Sequence, residues 1–70
     1  MYFENFDAII LQDERVEIWR LDKETNFNVK VLYIGKYKDM PNEIRDGFVI
    51  SFIGINTREN IVSINVEVRR

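Results

Sequence analysis

The apolar residues of this chain come almost entirely from one shape class: ten isoleucines and seven valines stand against three leucines and one alanine. Branching at Cβ loses χ1 freedom against a preceding helical turn and packs well on a pleated surface, so this choice favours strands over helices. The spacing agrees. Phe27, Val29, Val31 and Tyr33 alternate with Asn28, Lys30, Leu32 and Ile34, and Val62, Ile64, Val66 and Val68 alternate with Ser63, Asn65 and Glu67. Residues 48–55 are apolar at nearly every position, as in a strand buried on both faces. Residues 15–21 predict a fourth strand, and residues 8–12 (Ala-Ile-Ile-Leu-Gln) a short fifth.

Turn chemistry separates these runs. Asp22-Lys-Glu-Thr-Asn26 and Asn56-Thr-Arg-Glu-Asn60 share a design: an Asx residue that can accept a backbone N–H, three polar residues, then an Asn that tolerates the left-handed conformation. Both predict hairpin loops. Pairing Asp22 with Phe27 sets Ile18 against Val31, Val16 against Tyr33 and Arg20 against Val29. Pairing Asn56 with Ile61 sets Ile55 against Val62, Ile53 against Ile64 and Val49 against Val68. Each register gathers apolar residues on one face. Between the hairpins, Asp39 or Met40 can start a helical turn, Pro41 suits its first positions and Gly47 its stop, with Ile44 pinned to the core. The expected fold is one mainly β domain over residues 1–70. It would be a small antiparallel meander of four or five strands, either an SH3-like or OB-like barrel or a curled open sheet.

These registers leave a second apolar set. Trp19, Leu21, Leu32 and Ile34 point away from Val16, Ile18, Val29 and Val31, while Phe48, Ile50 and Phe52 point away from Val49, Ile53 and Ile55. A small sheet cannot bury both faces within itself, and contiguous apolar patches are rare on monomers. Residues 1–12, with Tyr2, Phe3 and Phe6, provide either an intramolecular cover or part of an interface with another copy. Burying Trp19, Phe48 and Phe52 would be worth on the order of 2 kcal/mol each. That is large for a seventy-residue domain, which exposes much surface for its volume. The expected interface set is therefore Tyr2, Phe3, Phe6, Trp19, Leu21, Phe48 and Phe52, in a homo-oligomer or against a protein partner.

Composition restricts the chemistry. With no cysteine there is no disulfide and no thiolate, and with no histidine the usual zinc ligand and neutral-pH base are missing. Ser51 and Ser63 fall inside strands without a base beside them. Asp13-Glu14 and Asp22/Glu24 fall at turns, where acidic residues are ordinary, rather than forming a glycosidase pair. Asp22, Glu24 and Asn26 have oxygen-ligand spacing but lack the Gly and closing Glu of a calcium loop. Gly35, Gly47 and Gly54 stand alone, unlike the glycines of a phosphate-cradling loop, and suit a strand end, a helical stop and a bulge. No catalytic residue, metal or cofactor is expected, so the protein is read as a non-enzyme.

Twelve acidic and ten basic residues give a net charge of −2, unevenly spread. Residues 1–14 carry −4, residues 15–38 carry +3 and residues 39–70 carry −1. Within the basic third, Lys30, Tyr33, Lys36, Tyr37 and Lys38 interleave cations with rings, as single-strand binders do. Arg45, Arg58, Arg69 and Arg70 could extend the set if the fold brings them near. An acidic chain lacks the basic excess of most nucleic-acid domains, but a nucleotide needs only one or two cations and an aromatic shelf. Tyr33, Lys36, Tyr37, Lys38, Arg45 and Arg58 are thus the alternative ligand-binding set. The start of the chain lacks the pattern of a signal peptide, no run reaches transmembrane length, and a cytoplasmic location without membrane contact is expected.

Val16-Glu-Ile-Trp-Arg-Leu-Asp-Lys-Glu-Thr-Asn26, followed by Leu32-Tyr-Ile-Gly35 and Lys38-Asp-Met-Pro41, resembles small uncharacterised β-rich proteins of bacteriophages and integrative elements. The likeness covers about residues 15–68, with Asn26 where Gly is more usual. It implies no catalytic residue. It implies a short accessory protein that acts by binding, for example by blocking a component of host defence.

Overall fold

The structure, a computed structural model, describes residues 1–21 and 29–69. The expected loop at Asp22–Asn26, with its calcium-like spacing, lies outside the described residues. The chain forms α1 (Phe3–Phe6), β1 (Arg15–Leu21), β2 (Val29–Lys36), a 3₁₀ turn (Tyr37–Asp39), α2 (Asn42–Gly47), β3 (Phe48–Asn56) and β4 (Ile61–Val68). The four strands form one open sheet in the order β2-β1-β4-β3. β1 pairs antiparallel with β2, and β3 with β4, but β1 and β4 run parallel at the centre. The sheet is mixed, so the expected meander is corrected, and it is not closed into a barrel. The segment from Tyr37 to Gly47 links strands on opposite edges, the kind of crossover that a parallel pairing requires.

Two bulges decide which side chains reach the core. Ile18 faces Tyr33 but Trp19 faces Val31, leaving Leu32 as the extra residue. Ile50 faces Val66 but Phe52 faces Asn65, leaving Ser51 as the extra residue. The Ser51 hydroxyl donates to the Asn65 carbonyl at 3.2 Å, tying the second bulge to its neighbour. An inserted residue reverses the inward–outward alternation beyond it. Hence Ile53 faces Ile64 and Ile55 faces Val62 as expected, whereas Val49 faces Glu67 and Phe48 faces Val68. Ile18 and Val16 face Tyr33 and Gly35, not Val31 and Tyr33, and Arg20 faces Lys30. Ile50 is buried, and Phe48 and Leu32 pack at the core margin, so these three leave the second apolar set.

The core lies on one face of the sheet. Val16, Ile18, Ile50, Ile64 and Val66 pack there under Phe3 and Phe6 of α1, Tyr37 of the 3₁₀ turn, Met40, and Ile44 of α2. Phe3 and Phe6, three residues apart on one helical turn, project together. Residues 1–12 therefore do act as a cover, but for the Val16–Ile64 face and not for Trp19. The expected strand at residues 8–12 is a succession of turns: the Ile9 N–H donates to the Phe6 carbonyl and the Glu14 N–H to Leu11. Met1 meets Ile50 on the β3 edge, where its terminal ammonium donates to the Ile50 carbonyl at 2.9 Å and the Ile50 N–H donates to the Met1 carbonyl at 2.7 Å. Gly47 lies inside α2, with Phe48 as the cap residue, so it is not a left-handed stop.

Candidate functional site

The sheet face away from the helices keeps an apolar row that crosses all four strands. Residues paired in a ladder share a face, which sets Val31, Trp19, Asn65 and Phe52 side by side from β2 to β3. Ile34, Glu17, Ser63 and Gly54 form the adjoining row. Phe52 is 64% exposed, Ile34 51% and Val31 40%, and Trp19 and Leu21 are half-buried. Among the described residues no helix lies over this face. Its charges are segregated along the strands. Arg15 pairs with Lys36 at one end, Glu67 stands at the other beside Val49, and Glu17 lies between.

The expected interface residues therefore divide. Trp19, Leu21 and Phe52 belong to the uncovered face. Phe3 and Phe6 are core residues, and Phe48 packs at the core margin on the other side with the Arg20 guanidinium 5.8 Å from its ring centre. Tyr2 is half exposed under the Arg69 guanidinium, 4.5 Å from its ring centre. Val31, Val49 and Asn65 also lie on the uncovered face, beside Ile34, and are absent from the expected set. The bulge at Leu32 turns Val31 outward, and only a serine within an apolar run hinted at the second bulge.

The alternative set is dispersed and engaged. Tyr37 is buried, its ring edge-on to Phe6 at 5.7 Å, so it offers no free shelf for stacking. Its hydroxyl donates to Asp7 Oδ1 at 2.5 Å. Arg45 donates to the same carboxylate, through Nη1 to Oδ1 at 3.1 Å and through Nη2 to Oδ2. The guanidinium also lies 5.9 Å from the ring centres of Phe3 and Tyr37. This cluster joins the end of α1, the 3₁₀ turn and α2. Arg45 holds the Asp7 carboxyl below its ordinary value of 3.8, with the Tyr37 hydroxyl adding to that effect. Burial and the Asp7 carboxylate push the Tyr37 hydroxyl up to about 12, and Asp7 raises Arg45 further. The three groups satisfy one another and act as a clasp. Lys38 pairs with Asp13 at 3.0 Å on the surface, which lowers the Asp13 carboxyl and raises the Lys38 ammonium.

Tyr33 donates its hydroxyl to the Lys36 carbonyl at 2.6 Å, folding its ring over Gly35. Lys36 lies beside Arg15 on the β2 edge, and Arg58 lies in the β3–β4 turn, two strands away at the same end of the sheet. Among the described residues no three acidic side chains gather in a manner suited to a metal ion, and no helix is long and apolar enough to cross a membrane. Comparisons with family models, with curated proteins and with solved structures give no match.

Proposed function

We propose that this chain is a non-enzymatic binding protein whose working surface is the uncovered sheet face. The observation that carries this reading is the row Val31–Trp19–Asn65–Phe52, apolar at three of four positions and open where the other face is covered. Exposed apolar patches rimmed by polar residues mark interaction sites, and a central tryptophan is a favoured anchor. Glu17, Asn65 and Glu67 provide directional contacts among the apolar ones. With the clasp residues Tyr37 and Arg45 turned inward, the sheet face is a better binding surface than the basic–aromatic stretch. The accessory-protein resemblance supplies the partner class: a protein of the host cell whose own surface is blocked by occupation.

A photo-crosslinking residue at Ile34 tests this in a lysate of the host cell. Adducts with a second protein should form, disappear when Phe52→Lys is added, and be absent when the crosslinker is moved to Glu59 in the turn. Equal adducts from both positions, or none from Ile34, would reject the sheet face as the working surface.

A further inference from the structure

The occupant of this face can be argued from its charge layout and from the state of the sheet edges. Edge-to-edge growth is hindered on both sides. β2 and β3 each carry a bulge, and Met1 already occupies the β3 backbone at Ile50. What is left open is the face. Four strands at about 4.8 Å spacing and seven residues at about 3.3 Å give a footprint of roughly 400–450 Å² per copy. Two such footprints, increased by side-chain relief, reach about 1,000 Å², near the lower limit of specific interfaces.

We propose that, in the absence of another partner, a second copy of this chain closes the face, with its strands running opposite to the first. This rests on the sheet face being the working surface, and it makes self-association the state with which any other partner competes. The required two-fold axis lies along the rows, midway between the Glu17 row and the Trp19 row. Each strand then stands over its own counterpart with the rows exchanged. Phe52 lies over the second copy's Gly54, against which that copy's own Phe52 ring rests, so the two Phe52 rings meet across the axis. Trp19 lies over the second copy's Glu17, whose carboxylate can accept the indole N–H, a donor that needs a partner once buried. Ile34 lies over the second copy's Val31.

At the ends, Arg15 comes one strand away from the second copy's Glu67, and the symmetry repeats the pair. Rotation about an axis along the strands serves the charges less well. It places Arg15 over Ile61 and Glu67 over Leu21, leaving both without an opposite charge. Opposite charges at the two ends of one face thus select a self-complementary sandwich with antiparallel strands, the isologous geometry of a two-fold dimer.

Sedimentation equilibrium of the full chain from about 1 to 500 µM, a range suited to a small interface, tests the proposal. Wild type should dimerise with a midpoint in the tens of micromolar. Arg15→Glu and Glu67→Arg should each weaken the dimer by roughly fivefold or more, because reversal sets like charges together twice per dimer. The double reversal should return to within about twofold of wild type. Phe52→Lys should be monomeric with a thermal midpoint unchanged at low micromolar concentration, where wild type is also monomeric, separating association from folding. A wild-type chain monomeric throughout the range, or a double reversal weaker than either single change, overturns the dimer. If the chain is monomeric while the Ile34 crosslinker still captures another protein, the dimer alone fails and the binding reading stands.

Discussion

Arg45 grips the Asp7 carboxylate with both of its terminal nitrogens, across a sequence separation of 38 residues. Asp7 closes α1 and Arg45 belongs to α2, so this pair fastens together helices too short to hold their position alone. Asp7 is about one-third exposed and Arg45 one-quarter exposed. Solvent therefore screens part of the interaction, and Asp7→Asn or Arg45→Met should each cost about 1 kcal/mol. The combined variant should cost little more than either alone, as residues that act through one contact do. Urea midpoints of the four proteins measure this, and additive losses would show that the pair is not coupled.

The same clasp sets a pH window. Asp7 is depressed on folding, so its contribution is present above the ordinary value of 3.8 and is lost as pH falls through the lower folded value. Tyr37 is raised to about 12, so its contribution is complete below about pH 10 and is lost between about 10 and 12. Tyr33, raised mainly by burial, adds in the same alkaline direction. Thermal midpoints against pH should fall at both extremes. Asp7→Asn should flatten the acid limb, and Tyr37→Phe should flatten the alkaline limb while reducing the acid limb only in part, since Arg45 still holds Asp7 down. An alkaline limb unchanged in Tyr37→Phe would assign it to other groups.

Two glycines should respond oppositely to alanine. At Gly35 a Cβ would lie 2.6 Å from Tyr33 Oη and 2.9 Å from its Cζ, so the ring must move and the Lys36 hydrogen bond break. Gly35→Ala should cost about 1–3 kcal/mol, and less in a Tyr33→Ser background, where the ring is gone. At Gly47 nothing lies within 4 Å, and the residue is the last of α2. Gly47→Ala should stabilise by about 0.5 kcal/mol through reduced freedom of the unfolded chain. Guanidinium titrations of both variants decide, and a destabilised Gly47→Ala would contradict the open space seen there.

Asn60 ends the β3–β4 turn at φ 55°, a conformation that Asn tolerates and a β-branched residue does not. Asn60→Val should cost about 1–2 kcal/mol, whereas Asn60→Gly should be neutral within about 0.5 kcal/mol. Equal losses in the two variants would place the effect in the Asn side chain and not in the backbone.

Phe3 and Phe52 test which face is the core. Phe3 is fully buried, and Phe3→Ala should cost about 3–5 kcal/mol, enough to unfold the domain. Phe52 is largely exposed, so Phe52→Ala should move monomer stability by no more than about 0.5 kcal/mol. Denaturation at low micromolar concentration, below the expected dimer midpoint, isolates the monomer term. A large loss from Phe52→Ala there would mean that its ring is covered within the chain.

Sequence patterning located the four strands, the turn at Asn56–Asn60 with its left-handed Asn60, and the anchoring of Ile44, because each rests on local preferences. It also detected a surplus of apolar surface, although the bulges reassigned its members. Leu32 and Ser51 each add one residue to one strand, and residue types alone do not reveal such an insertion. The parallel pairing of Val16 with Val62 was equally hidden, since it joins distant segments and has no turn to signal it. Of the candidate site, Trp19, Leu21 and Phe52 were legible as apolar residues out of phase with their neighbours. The Asp7–Arg45–Tyr37 clasp was not, because its members come from three separate elements.

The parallel contact between β1 and β4 governs the order in which the molecule can be made. β1 is an early strand, yet one side of it stays unpaired until β4, the last, arrives. Two strands without a third are marginal in water, so the pair of β1 and β2 gains its support only when β4 fills the inner edge of β1. Completion of the sheet thus depends on its last strand, and a chain truncated before Ile61 would leave the inner edge of β1 open to pairing with another strand.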